Sequence, residues 1–215
     1  EGEVPFALAF TEPGAGSDSA AMAMTAVHRD GKVVLNGTKT LVTNAVDSKY
    51  LLTMARNPDA TDPRRAISMY LVPMDTPGIE LSPILKMCWH TADSSEIFYN
   101  DVVVDESCLV GVKGEGFVQL MKNFEVERIM TATQSLGLAE AAFEDAAAYA
   151  AQRVQFGQPI GNFQQIQQKL TDMAIKIENM RNFVYHSAWM VDNDCLDRTQ
   201  AAMCKRYCSL AAFEV

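Results

Sequence analysis

One feature constrains this chain more than any other: the period of its apolar residues changes midway. Between Phe6 and about Val104 the text consists of short apolar segments broken by turn residues, namely FALAF, MAMTAVH, KVVLNG, TKTLVT, YLLTMA, ISMYLV and EIFYNDVVV. Asp30-Gly31 separates two of them, and glycine accepts the positive φ that a tight hairpin requires. This half predicts an antiparallel β domain. From about Gly116 the spacing becomes that of helices. Phe163, Ile166, Leu170, Met173, Ile177, Met180, Val184, Ala188 and Val191 recur three and four apart, on one stripe of a long helix. An alanine-rich segment from 116 to about 153, carrying Phe117, Leu120, Met121, Phe124 and Phe143, predicts another, and a third begins near Thr199. Strands followed by helices place the chain in the α+β class.

Composition narrows the function classes. The chain has 215 residues and a formal net charge of −9, the wrong sign for wrapping nucleic acid or lying on an anionic membrane. With 48% hydrophobic and 21% charged residues it reads as a soluble globular protein. No apolar run approaches the roughly 18 residues of a membrane span. The opening EGEVPFALAF has no basic leader region. Cys204 and Cys208 share a helix face, but with Cys88, Cys108 and Cys195 they complete no zinc site, so metal is not expected and reduced thiols in a cytoplasmic protein are. The third helix meets no glycine or proline stop before Val215, and a strand begins almost at once, so the chain reads as a piece of a longer protein.

Chemistry concentrates in a few places. Thr11-Glu12-Pro13-Gly14-Ala15-Gly16-Ser17-Asp18 follows the first strand, and its glycines and hydroxyls suit a phosphate or a flavin edge as well as an ordinary turn. It is no dinucleotide fingerprint, because a hairpin rather than a helix follows. Glu125 and Glu127 both precede Arg128 on a helix, but two residues turn the face by about 200°, so only one of them can meet a ligand there.

Taken in order, TEPGAGSD, NGTKTLVTNA, EIFYNDVVV leading into VGVKGEGF, and RVQFGQPIGNFQ resemble the acyl-CoA dehydrogenases over nearly the whole chain. The stretch from Arg153 onward looks most like the crotonobetainyl-CoA reductases of carnitine metabolism. The resemblance implies an antiparallel β-barrel or sandwich middle domain over 1–110, then part of an antiparallel helical bundle over 111–215, lacking the N-terminal helical domain and the last helices. It implies FAD, with Leu8, Phe10, Thr11, Gly16, Ser17, Leu41, Val42 and Thr43 at the flavin and thioester. Relatives usually carry Trp or Phe where this chain has Leu41. Arg153, Phe156, Phe163 and Gln164 match residues that reach a neighbouring subunit's FAD, which implies a homodimer or homotetramer.

The resemblance also implies the reaction: α-proton removal from an acyl-CoA thioester with β-hydride transfer to flavin N5, or the reverse enoyl-CoA reduction. An electron-transfer flavoprotein would exchange the electrons. Most relatives place the base late in the bundle, whereas a minority place it where this chain has Glu127, with Glu125, Arg128 and Ser17 toward the substrate. Such a base is expected to be dry, with a raised pKa. An acyl-CoA oxidase and a non-catalytic flavin-family scaffold are the alternatives.

Overall fold

The structure, a computed structural model, describes residues 3–62 and 65–215, so the expected domain start at residue 1 lies outside it. It divides into two compact units, residues 1–120 and 121–215.

The first unit is built on strands β1 (Phe6–Ala9), β2 (Thr25–Arg29), β3 (Lys32–Thr43), β4 (Tyr50–Arg56), β5 (Ile67–Pro73), β6 (Ile79–Pro83), β7 (Ser94–Asp105) and the two-residue β8 (Leu109–Val110). They form one sheet in the order β6-β7-β3-β2-β4-β5-β8, with β1 beside β4. The sheet is mixed rather than wholly antiparallel, since β1 runs parallel to β4 and β2 meets β4 in parallel at Thr25 and Arg56. Its path is open: among the described residues β6 and β8 do not pair to close a barrel. KVVLNG and TKTLVT, two segments in the sequence reading, are one strand, and the reading passed over β6. At the predicted hairpin Asp30 (φ 50°) and Gly31 (φ 75°) both take the left-handed conformation that a two-residue turn of the favoured twist demands.

Alternation along β3 and β7 builds the core. Val33, Leu35, Ile97, Tyr99, Val102 and Val104 all point inward with Ala26, Leu51 and Val72. Two bulges reset the parity. Leu35 faces Val102 but Gly37 faces Tyr99, and Lys39 faces Ile97 but Val42 faces Ser95. Each bulge inserts a residue and turns the following side chains to the opposite face. Lys39 and Val42, three apart, are therefore both buried, and Leu41 between them is turned outward.

The inward Lys39 would be ruinous without a partner. Its ammonium donates to Glu12 Oε1 at 2.8 Å and to the Phe10 carbonyl at 3.1 Å, while the Glu12 carboxylate also accepts from Ala23 N (2.6 Å) and Met24 N (3.0 Å). Lys39 is 0% exposed and Glu12 7%. Burial pushes the Glu12 carboxyl upward, but the Lys39 ammonium and the two amides outweigh it and leave the group below the ordinary carboxylate value. Burial costs Lys39 some of its basicity, and Glu12 restores part. Elsewhere in this unit His28 bridges Glu106 (3.0 Å) and the buried Tyr70 hydroxyl (3.1 Å), and Ser68 Oγ accepts from Gly114 N at 2.9 Å.

Helix α1 (Gly116–Gln152) begins in the first unit and runs through the second. A hairpin of β9 (Val154–Gln155) and β10 (Gln158–Pro159) follows, then α2 (Gln164–Asp192) and α3 (Arg198–Glu214). Ala132, Leu136 and Ala139 of α1 pack against Ile177, Met180 and Val184 of α2 and Cys204, Cys208 and Ala211 of α3. Contacts run in opposite senses along α2 and α3, with Gln200 bonded to Ser187, Cys208 to the Met180 carbonyl and Lys176 paired with Glu214 at 2.9 Å, so these two helices are antiparallel, and Glu140 of α1 meets Arg181 of α2 at 2.6 Å. The predicted stripe is the inner face of α2, although Phe163 stands just before the helix as its N-cap residue. All five cysteines are free thiols. No described helix is long and apolar enough to cross a membrane.

The buried pair yields two measurable expectations. Lys39→Met strands the carboxylate and lowers unfolding free energy by about 3 kcal/mol in denaturant titration, whereas Lys39→Met combined with Glu12→Leu recovers a large part of the loss. Because the folded pKa of Glu12 lies below its ordinary value of 4.5, its contribution is complete above that pH and drains away as pH falls through the folded value. Thermal melts below pH 4.5 are therefore expected to fall less steeply for Glu12→Gln than for the parent.

Candidate functional site

In the first unit the fold brings two predicted segments together. The Thr11 carbonyl accepts from Thr40 N at 2.9 Å, and Lys39 clamps the carbonyl of Phe10, so the loop after β1 lies against the bulge of β3. The loop itself is a tight turn, with Glu12 N and Ala15 N each bonded to the other residue's carbonyl at 3.1 Å. Leu8, Phe10 and Thr11 are half-buried, and Gly16 and Ser17 are exposed. A Cβ at Gly14 or Gly16 would meet nothing within 4 Å, so open space lies beside that backbone.

Leu41 is the most telling residue here. It has φ 57°, a conformation that costs a bulky side chain of order 1–3 kcal/mol, and its side chain is 61% exposed. It is thus not strand core. Val42 takes the core position with no exposed surface, which leaves only its backbone for a ligand, and Thr43 is exposed. Asp93 secures the turn that follows, accepting from Ala45 N and Ser95 Oγ, each at 3.1 Å.

In the second unit Glu125, Glu127 and Arg128 are partly buried on α1. Glu125 lies 3.8 Å from the guanidinium of Arg198 on α3. Glu127, on another face, instead accepts a hydrogen bond from the side-chain amide of Asn123. The carboxylates are thus differently committed, one to a cation and one to a neutral donor. Glu127 is partly open rather than dry, which departs from the expectation for a base. Arg128 makes no ion pair among the described residues, neither with Glu125 nor with Asp145.

The other end of α1 carries a second cluster, about 39 Å from Glu127 at 1.5 Å per helical residue. Arg153 is exposed where α1 ends, and the hairpin turns at Phe156 (φ 51°) and Gly157 (φ 80°). Phe156 is a second bulky residue at positive φ; it is 94% exposed and touches Phe163 edge-on at 6.1 Å. These two, with Gln164, Ile160 and Asn162, line an open groove of about 630 Å³. Trp189 is neither core nor near these groups; it is 56% exposed and stacks on His186.

Sequence reasoning missed the residues that hold the site. Glu12 was one letter of a turn motif and Lys39 one polar residue of a strand. Their signal is slight: a lysine on the inward parity of β3. Asn123 had a clearer one, its spacing of four from Glu127, which makes the two helix-surface neighbours.

Sequence models of the acyl-CoA dehydrogenase family match both halves of the chain, the middle domain over residues 7–102 and the C-terminal domain over residues 114–215. A probable acyl-CoA dehydrogenase of Escherichia coli K12, YdiO, is 48% identical over 214 residues, which are 100% of this chain and 56% of that protein. Butyryl-CoA dehydrogenase from Megasphaera elsdenii superposes with a TM-score of 0.92 at 35% identity, over 96% of this chain and 54% of its own. A chain from a structure of the electron transferring flavoprotein of Acidaminococcus fermentans does so with a TM-score of 0.95 at 36% identity, over 100% and 56% respectively. The chain spans about half the length of the relatives it matches. With both of its halves matched in order, the chain belongs to the acyl-CoA dehydrogenase family.

Proposed function

We propose that this chain supplies the flavin and thioester machinery of an enzyme that oxidises an acyl-CoA between its α and β carbons, or reduces the enoyl-CoA. The observation that carries this reading is the separation of the two carboxylates on α1, with Glu125 beside Arg198 and Glu127 held by a neutral donor that leaves it free to take a proton. FAD is the cofactor that family membership implies, and when bound it accepts or returns the β-hydride.

The residues present fit such a group. Beside Gly14 and Gly16 the backbone is open, the Thr11 and Ser17 hydroxyls supply donors, and Leu41 offers an apolar face at a strained bulge. Leucine has less surface than the indole or phenyl ring of relatives, so the ring face is held with less contact. Arg153 and the Phe156–Phe163 pair suit a pyrophosphate and an adenine: a guanidinium forks onto phosphate oxygens, and aromatic rings stack. They lie far from Glu127 along α1, which supports a second subunit's FAD as their ligand, and hence a homodimer or homotetramer.

The chain's own chemistry is then the following. Arg128 orients the thioester from α1. Glu127 removes the α-proton, and donors at the thioester oxygen stabilise the enolate as it forms. The net charge of −9 opposes the approach of anionic CoA, so local cations such as Arg128 meet it. An electron-transfer flavoprotein is the proposed electron partner, and the cytoplasm the proposed compartment.

The test is anaerobic bleaching of the flavin bands of the holoenzyme by butyryl-CoA, isovaleryl-CoA and γ-butyrobetainyl-CoA. Glu127→Gln is expected to keep FAD and CoA binding yet slow bleaching at least a hundredfold, within the range for a positioned base; a variant that bleaches normally takes Glu127 out of the mechanism. Arg153→Gln is expected to weaken FAD retention about tenfold or more, read as flavin per protein after gel filtration.

A further inference from the structure

We infer that Asn123 is the positioning residue of the base: its amide holds Glu127 Oε1, fixes the carboxylate rotamer, and leaves Oε2 to receive the substrate's α-proton. The inference rests on Glu127 being the base. Its geometric ground is the direct hydrogen bond from Asn123 Nδ2 to Glu127 Oε1, the only hydrogen bond to this carboxylate among the described residues. A second bond ties the same turn, Thr131 Oγ1 donating to the Glu127 carbonyl at 3.0 Å.

Both residues belong to the continuous helix α1, seven and eleven positions after its first residue, so the donor rides on a rigid element. Asparagine is a poor residue for a helix interior, since its side chain competes for backbone hydrogen bonds. Alanine or lysine at 123 would favour α1 more, so the site keeps an amide at a cost in helix propensity.

The choice of a neutral donor matters chemically. In the proton-removal step the α C–H bond breaks, the proton bonds to Oε2, and the electron pair stays on the substrate carbon and delocalises into the thioester carbonyl. A lysine or arginine at Oε1 would neutralise the carboxylate and blunt it as a base. An amide orients it without bringing a charge. Lys122 and Arg128 lie on α1, and Arg198 of α3 is directed at Glu125 at 3.8 Å.

The experiment uses the FAD-loaded holoenzyme and Asn123→Ala, Asn123→Asp, Asn123→Gln and Glu127→Gln, with the three thioesters named above as probes. Asn123 is exposed, so these variants are expected to fold, with Asn123→Ala melting at or slightly above the parent. For Asn123→Ala the bleaching rate should fall about three- to tenfold with unchanged thioester affinity. Asn123→Asp, which removes the donor and sets a like charge beside the carboxylate, should slow bleaching at least as much, and Asn123→Gln should recover part of the rate.

A readout independent of turnover is the carbon NMR chemical shift of the Glu127 side-chain carboxyl at fixed pH, assigned by its absence in Glu127→Gln. It should move in Asn123→Ala and in Asn123→Asp, and return toward the parental position in Asn123→Gln. If Glu127→Gln abolishes bleaching while Asn123→Ala and Asn123→Asp keep the parental rate and carboxyl shift, the inference is overturned and the base stands. If Glu127→Gln bleaches normally, the base assignment falls and the inference with it.

Discussion

The contact between Lys39 and Glu12 is the constraint on which the loop after β1 and its neighbours in the β unit depend. A lysine on the inward parity of a core strand cannot stay there unpaired, because removing an ammonium from water costs several kcal/mol. The one carboxylate that reaches it belongs to the loop after β1, and that carboxylate also collects the amides of Ala23 and Met24. A single dry ion pair thereby fixes three segments against each other: the end of β1, the turn at 12–15, and the entry to β2. It gives the loop one position, and with it the open glycine backbone and the Ser17 hydroxyl. Replacing the pair with apolar groups is compatible with stability, so its value lies as much in specifying that arrangement as in strengthening it.

Much of the architecture was legible because local rules and the tertiary structure agree. Asp30-Gly31 demanded a tight turn and forms one. The three- and four-residue spacing from Phe163 to Val191 demanded a buried stripe, and Ile177, Met180 and Val184 are its deepest members. The sheet was less legible. Its parallel pairs join segments distant in sequence, and no alternation pattern encodes a partner. The bulges at Asn100–Asp101 of β7 and at Leu41 of β3 were also hidden, since strict period-two reading puts Leu41 on the same face as Lys39. Gly37, beside the first register shift, carried a hint, for a Cβ there would sit 2.8 Å from Met24.

The site was legible through its ordered motifs rather than through chemistry visible in any one residue. Glu125 and Glu127 are indistinguishable as letters. What separates them is tertiary: a cation from α3 approaches one and an amide from the same helix holds the other. Burial was the poorest guide, since a general base was expected to be dry and Glu127 is partly open. What this helix gives Glu127 is a hydrogen bond from Asn123 rather than exclusion from water.

Leu41 and Phe156 are both large apolar residues bent into a backbone conformation suited to glycine or asparagine. Thermostability engineering would single out both positions, and Gly or Asn at either would relax the chain. Each such change would also erase an exposed apolar side chain at a place where the proposed cofactor needs one. Selection for a sturdier fold and selection for flavin retention therefore pull these two codons in opposite directions. Variants recovered from a heat-challenge screen should accumulate elsewhere in the chain unless the screen ignores colour.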